Sequence, residues 1–375
     1  MDKLLFTPGP LTTSTKVKEA MLRDLGSRDY EFIEKVNFVR NELLLLAGVS
    51  KQSGYESIII QGSGTFGIEA VISSVIPAEG NLLVIINGAY GERISKMAEI
   101  HKIKQTRMVN AENEWPDIPR IEEILKSNPY ITHVAVVHCE TTTGIINPVE
   151  AIGLLCQYYD KTFIVDAMSS FGAYPLHMQK CNIDFLISSS NKCIEGVPGF
   201  SFVIAKREKL EEVEGKARSL VLDLYAQWRG LETDGQFRFT PPTHVILAFE
   251  QALKELEAEG GIAGRAHRYQ ENYNKLIKGM RELGFREYLA PKMQGYIITS
   301  FYYPQHVNFD FKTFYKKLSD KGFVIYPGKL GHADCFRIGN IGKIFGDDID
   351  RLLNHIRQAL QEMEIPEDSR KVEVL

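Results

Sequence analysis

Lys192 stands at the end of Ser188-Ser189-Ser190-Asn191-Lys192, after the apolar run Asp184-Phe185-Leu186-Ile187 and shortly before Gly196-Val197-Pro198-Gly199-Phe200. Small residues beside a glycine-rich turn can hold a lysine without bulk around its amine. Partial burial there lowers the amine's pKa and makes it a nucleophile and a base. A solvated surface lysine is the competing reading, which this context weakens. Asp166 stops a second apolar run, Thr162-Phe163-Ile164-Val165. A buried aspartate needs a cation to offset its desolvation; a protonated pyridine nitrogen is one such cation, and the alternative is an aspartate that caps or turns the chain. A third feature, Gly62-Ser63-Gly64-Thr65-Phe66-Gly67, joins a strand-like run to the helical Ile68-Glu69-Ala70-Val71. The N–H groups of such a turn, with the helix dipole behind them, bind an anion. Ser63 and Thr65 add hydroxyl donors suited to a phosphate monoester.

The same turn matches the glycine pattern of a dinucleotide site. That reading requires an acidic residue roughly 20 positions on, at the end of the next strand. The run Leu82-Leu83-Val84-Ile85-Ile86 ends instead in Asn87-Gly88, so an NAD-dependent oxidoreductase is disfavoured. Arg337 is a lone arginine in the apolar Cys335-Phe336-Arg337-Ile338. Burial there calls for an anion, either a protein carboxylate or a substrate, and the planar guanidinium fork suits a carboxylate and a phosphonate alike.

The elements that must position these residues alternate along the first two-thirds of the chain. Strand patterns fall at 57–61, 82–87, 104–109, 133–138, 162–166, 185–189 and 201–205. Helical patterns fall at 68–75, 91–101, 118–126 and 148–159, the last with Asn147 as N-cap and Pro148 at the first helical position. Such alternation predicts an α/β fold with a large, mainly parallel seven-stranded sheet. Lys192 and Asp166 then lie at the carboxyl ends of strands, the edge where open α/β sheets place ligands. After Arg218 the pattern loosens, and 223–239 reads as an excursion over the surface or across a subunit boundary. Two long helical segments span 244–283, broken at Gly260-Gly261. A strand at 296–303, a helix at 312–321, a strand containing Phe336 and Ile338, and a helix at 347–363 complete a smaller α+β part. The expected organisation is an N-terminal segment 1–20, a large domain 21–259 and a small C-terminal domain 260–375.

Composition fits a globular protein that acts on small molecules. The 375 residues are 44% apolar and carry a net charge of −4. No broad basic field invites nucleic acid or an anionic membrane. Five cysteines, an odd number with no C-x-x-C spacing, argue against a disulfide framework or zinc ribbon. The opening residues hold Pro8 and Pro10 and no long apolar run, so neither a signal peptide nor a membrane anchor is expected and a cytoplasmic location is. His133, His138 and Cys139 are split between faces by strand alternation, and no metal is assigned to them.

Six segments occur in the order seen in class V, fold-type-I aminotransferases, which use pyridoxal phosphate: Thr7-Pro8-Gly9-Pro10, Ser63-Gly64-Thr65, Glu140-Thr141-Thr142-Thr143-Gly144, Val165-Asp166-Ala167, Ser189-Ser190-Asn191-Lys192 and Phe239-Thr240-Pro241-Pro242-Thr243. The chain resembles that family over nearly its whole length. The resemblance implies that Lys192 holds the cofactor as a Schiff base and that Asp166 pairs with its pyridine nitrogen. Ser63, Gly64 and Thr65 would bind its phosphate, joined by Thr240 from the second subunit of a homodimer with shared active sites. Tyr90 would stack on the ring, where many relatives use tryptophan, and Thr142 would hydrogen-bond near the phenolic oxygen. Arg337 is the family's substrate-anion residue.

Within the class, Gly26-Ser27-Arg28-Asp29, Asn87-Gly88-Ala89-Tyr90-Gly91-Glu92-Arg93, Tyr326-Pro327-Gly328-Lys329 and the segment around Arg337 are similar to particular members. Those members move the amino group of 2-aminoethylphosphonate to pyruvate, giving phosphonoacetaldehyde and L-alanine in a ping-pong reaction of phosphonate degradation. Arg28, Lys329 and His332 are further candidates for the phosphonate. The sister activities, alanine–glyoxylate and serine–pyruvate transamination, share every cofactor residue. A cysteine desulfurase fits less well, because Asn191 stands where that family usually has histidine.

Overall fold

The computed structural model describes residues 2–328, 330 and 333–366. Seven short runs form its main sheet: β1 (Tyr55–Gln61), β2 (Asn81–Ile86), β3 (Lys104–Val109), β4 (His133–Val137), β5 (Thr162–Asp166), β6 (Phe185–Ser189) and β7 (Phe200–Lys206). Their order across the sheet is β1-β7-β6-β5-β4-β2-β3. Every pairing is parallel except those of β7, which runs antiparallel to β1 and β6. The central strands are buried at successive residues rather than alternate ones, the pattern of a sheet covered on both faces. At the edge, β3 carries the exposed Lys104 and Arg107, charges that discourage pairing with another chain.

The covering helices are α1 (Tyr30–Leu46), α2 (Gly64–Val75), α3 (Ala89–Ile100), α4 (Ile118–Ser127) and α5 (Val149–Tyr158). Pro148, not Asn147, is the N-cap of α5. The Asn147 side chain is drawn away to Val137 O at 2.8 Å and to Asn87, to which it both donates and from which it accepts. The stretch at 223–239, expected as an excursion over the surface or across a subunit boundary, is more regular than its pattern suggests. It contains α6 (Leu224–Thr233), capped by the Asp223 carboxylate on Ala226 N at 2.9 Å and burying Leu224, Trp228 and Leu231.

Next come α7 (Thr243–Ala258) and α8 (Gly261–Glu282). Gly260 separates them at φ +97°, a left-handed conformation that favours glycine. A second sheet, in the order β8-β10-β9, is antiparallel: β8 (Ile298–Tyr302), β9 (Tyr326–Pro327) and β10 (Cys335–Gly339). With α9 (Phe311–Asp320) and α10 (Gly346–Glu362) it encloses a core of its own that contains Phe285, Phe301, Phe314 and Phe336. Each of these rings contributes roughly 1.5–3 kcal/mol by burial. Phe6 belongs to this smaller core, and Leu4 and Leu5 pair with Phe323 and Val324. The chain therefore starts beside the second sheet before crossing to the first.

Because β1 and β6 both run antiparallel to β7, β1 points the same way as β5 and β6. The turn after β1, Asp166 at the end of β5 and Lys192 just past β6 consequently share one edge. No helix among the described residues is long and apolar enough to cross a membrane.

Candidate active site

The N-terminus of α2 forms one wall of a cavity at that edge. Ser63 is its N-cap, with extended backbone at φ −75° and ψ 171°, yet its exposed hydroxyl makes no capping bond. That hydroxyl and the N–H groups of the first turn are left to serve whatever anion enters. A Cβ at Gly64 would stand 2.2 Å from the Met168 sulfur, so glycine is what lets this turn pass close to the loop after β5.

Asp166 and Lys192 border the same cavity. The Asp166 carboxylate is 5% exposed and accepts one hydrogen bond, from Met168 N at 2.9 Å. Burial pushes its carboxyl up to about 7, and the Arg93 and Lys192 cations only partly oppose this. Burial likewise lowers the Lys192 amine to about 8. Its Nζ donates to Pro8 O at 2.6 Å. The N-terminal segment can cross so near because Gly9, at φ +109°, has no side chain; a Cβ there would lie 2.7 Å from both Cδ and Nζ of Lys192.

Behind Lys192 the chain is locked to α8. Buried Arg265 donates to Cys193 O and, at 2.8 Å, to Glu259. Arg268 bridges Glu195 at 2.7 Å and Glu259 at 2.6 Å, and the Tyr269 hydroxyl donates to Glu195 at 2.6 Å. Arg268 also donates to Gly342 O at 2.6 Å, joining the lysine loop to the segment after β10.

The wall opposite α2 comes from α3. Tyr90 and Arg93 line the cavity, with the Arg93 Cζ 4.8 Å from the Tyr90 ring centroid and Nη1 donating to Thr65 Oγ1 at 3.4 Å. The start of α3 is fixed by Glu140, which is fully buried and accepts from Tyr90 N at 3.1 Å and Gly91 N at 3.3 Å. Burial raises the Glu140 carboxyl, against the hydrogen bonds it accepts. Thr142 is buried on the far side of this clamp. Its hydroxyl donates to Glu140 at 2.7 Å and accepts from Ala89 N at 3.0 Å.

Arg337 lies on β10 and is 4% exposed. It donates from Nε to Pro327 O at 2.9 Å and from Nη1 to Thr141 O at 2.8 Å. No carboxylate among the described residues forms an ion pair with it, and burial lowers its guanidinium below the ordinary arginine value. Arg28 and Thr240 sit elsewhere in the subunit, exposed around a separate recess at 236–241. Gln61, at the end of β1, donates to the carbonyls of Phe239 and Thr240 at 3.0 and 3.1 Å and holds that segment near the glycine turn. Lys329 and His332 lie outside the described residues.

Arg93 and Glu140 were assigned no role from sequence. Arg93 follows Tyr90 by three positions and shares its face because α3 starts at Ala89, two positions before the expected helix at 91–101. Glu140 had no signal, because the backbone groups of α3 that it clamps lie some 50 positions away.

These donors fit pyridoxal phosphate. The α2 N-terminus suits a phosphate, the buried Asp166 carboxyl needs a cation such as a pyridinium, and a partly neutral lysine amine suits an aldehyde. The family described as aminotransferase class-V matches residues 12–328. A 2-aminoethylphosphonate–pyruvate transaminase of Vibrio cholerae is 52% identical over 359 residues, 95% of this chain and 97% of that protein. Another, of Salmonella paratyphi C, is 51% identical over the same shares. Among solved structures, an alanine–glyoxylate aminotransferase of Nostoc sp. superposes with a TM-score of 0.89 at 23% identity, covering 96% of each chain. A pyridoxamine–pyruvate aminotransferase of Mesorhizobium loti does so at 0.88 and 23%, covering 97% of this chain and 93% of that one. At that identity the two share the fold.

Proposed function

The chain belongs to the class V aminotransferases and uses pyridoxal phosphate, and on that premise we propose that it transfers the amino group of 2-aminoethylphosphonate to pyruvate, giving phosphonoacetaldehyde and L-alanine. The observation that carries the reading is the meeting in one cavity of the Lys192 amine, the Asp166 carboxyl and the α2 N-terminus. The full-length similarity to transaminases of that name supports the choice of donor and acceptor.

Once bound, the cofactor supplies an electron sink for the carbon that loses a proton. The chain's residues do the rest. Ser63, Gly64 and Thr65 hold the phosphate, with Thr240 of the partner subunit completing its cradle in a homodimer. Asp166 ionises beside the ring nitrogen and keeps that nitrogen protonated. Tyr90, whose backbone the Glu140 clamp fixes beside the cavity, would stack on the ring. Thr142, tied into the same clamp, supports the side of the phenolic oxygen.

As a free amine, Lys192 Nζ would take the proton from the donor carbon and serve as its carrier, the cofactor supplying the electron sink. Its lowered pKa leaves a substantial neutral fraction near pH 8 for this transfer. Arg337 binds the phosphonate in the first half-reaction and the pyruvate carboxylate in the second. The phosphonate sits one carbon further from the amine, so Lys329 and His332 are proposed to help it, and Arg28, which borders a separate recess in its own subunit, only from across the dimer. The setting is cytoplasmic.

The test is a half-reaction. With 2-aminoethylphosphonate alone, the absorption band near roughly 420 nm expected of a lysine-bound cofactor should disappear, with one phosphonoacetaldehyde formed per site. Pyruvate should restore the band. A band that ignores 2-aminoethylphosphonate but responds to alanine or serine, with glyoxylate restoring it, would move the chain to a sister activity.

A further inference from the structure

We propose that Arg93 is the cationic partner of the cofactor phosphate, a binding residue that complements the donors of the glycine turn. This rests on reading the Lys192 cavity as the pyridoxal phosphate site.

Charge balance supplies the first argument. A phosphate monoester carries roughly −1.5 to −2 near neutral pH, whereas the α2 N-terminus offers the equivalent of about +0.5. Ser63 and Thr65 contribute hydroxyls but no charge, and Lys192 has its amine engaged in holding the cofactor. A partly enclosed dianion therefore needs a further full positive charge, and Arg93 lines the same cavity as Ser63, Gly64 and Thr65.

The partners of Arg93 supply the second. A guanidinium has five N–H donors, yet Arg93 makes a long hydrogen bond to Thr65 Oγ1, at 3.4 Å. No carboxylate among the described residues pairs with it. Its sequence neighbour Glu92 is taken by Arg107, both carboxylate oxygens accepting at 2.6 Å. Two buried arginines outside the cavity, by contrast, are neutralised, Arg40 by Glu232 and Arg265 by Glu259. Half-buried Arg93 stands over the Tyr90 ring with its fork toward Thr65, a threonine already assigned to the phosphate. A planar fork in that position can take two phosphate oxygens at once. The two anions of the reaction are thereby divided: Arg93 on α3 serves the cofactor, and Arg337 on β10 serves the substrate.

The experiment compares pyridoxal phosphate with pyridoxal, which lacks the phosphate. Full-length wild type, Arg93→Gln and Arg93→Lys are freed of cofactor by dialysis and titrated with each compound by absorbance. Arg93→Gln should weaken pyridoxal phosphate roughly 10- to 100-fold, the size of a lost charge-assisted hydrogen bond, and pyridoxal by less than about 3-fold on the same scale. Arg93→Lys, which keeps the charge without the fork, should fall between wild type and Arg93→Gln. Equal weakening of both compounds would make Arg93 a support for the cavity and overturn the proposal. Unchanged pyridoxal phosphate binding with a raised KM for 2-aminoethylphosphonate would assign the arginine to the substrate and overturn it as well. Wild type that bound neither compound would remove the cofactor site itself, a failure distinct from the other two.

Discussion

The two sides of Lys192 treat buried charge in opposite ways. Behind it, Arg265 and Arg268 face Glu195 and Glu259 at hydrogen-bonding distance. Despite burial, their mutual attraction raises both arginines and lowers the Glu259 carboxyl. In front of it burial wins: Lys192 is lowered, Asp166 is raised and Arg337 is lowered. The rear charges hold one another and fasten the lysine loop to α8 and to the segment after β10. The front charges are held by the fold at a cost in stability, and a ligand of opposite sign removes that cost. Perturbed groups clustered in a cleft are a common mark of a functional site. The difference between the two faces shows which buried charges support the structure and which wait for a ligand.

Substitution should break the two faces differently. The largest effect is expected at Lys192. Lys192→Ala removes the proposed anchor and proton carrier together, and kcat should fall on the order of 10⁴-fold or more. Steady-state turnover checks this, and a variant with near-normal kcat would take the lysine out of the mechanism.

The pair Arg265→Leu and Arg337→Leu tests the contrast directly. Removing Arg265 leaves Glu259 short of a partner and Cys193 O without its donor, and should cost about 3–5 kcal/mol of stability. Removing Arg337 abandons no ion pair. It should change stability by about 1–2 kcal/mol, the cost of two unpaired carbonyls, while lowering kcat/KM for donor and acceptor by roughly 10²-fold, as lost charged hydrogen bonds do. Urea unfolding and half-reaction kinetics read the two quantities. Similar stability losses for both variants would erase the distinction between rear and front.

The same contrast bears on what could be read from sequence. Lys192, Asp166 and Ser63 were legible because each ends a run that is apolar on both sheet faces, so local pattern and the strand-end rule agreed. The central strands of the main sheet were legible for the same reason, whereas the edge strand β3, with its exposed Lys104 and Arg107, is not apolar on both faces. The helix α6 was not legible. Its Gln227 is buried because Nε2 reaches Ile59 O at 3.0 Å, across 168 residues, and so a polar residue interrupts the apolar period. Asn147 misled in the same way, spending its side chain on Asn87 instead of capping α5. The hold of Glu140 on the start of α3, and the ties of Arg265, Arg268 and Tyr269 to Cys193 and Glu195, were invisible because those partners are far away in sequence. The front of the site is written in strand ends, whereas its supports are written in tertiary contacts.

The smallest expected effect concerns stability alone, and Asp166 carries it. Its carboxyl titrates near 7 in the folded chain against an ordinary value of 3.8. Between those values the folded protein holds a proton that the unfolded chain has already lost. Stability therefore falls as pH rises from about 4 to 7 and levels off above. Asparagine has no such proton. In the cofactor-free protein, Asp166→Asn should melt a few degrees above wild type at pH 8, by roughly the scale of 1–2 kcal/mol, and the gain should vanish toward pH 4. With pyridoxal phosphate bound the sign should reverse, because the wild-type carboxylate then has its cation and the amide does not. Thermal melts of both proteins across pH, with and without cofactor, measure this crossing. A variant that melts lower than wild type in both states would place Asp166 among the structural charges behind the lysine rather than among those in front.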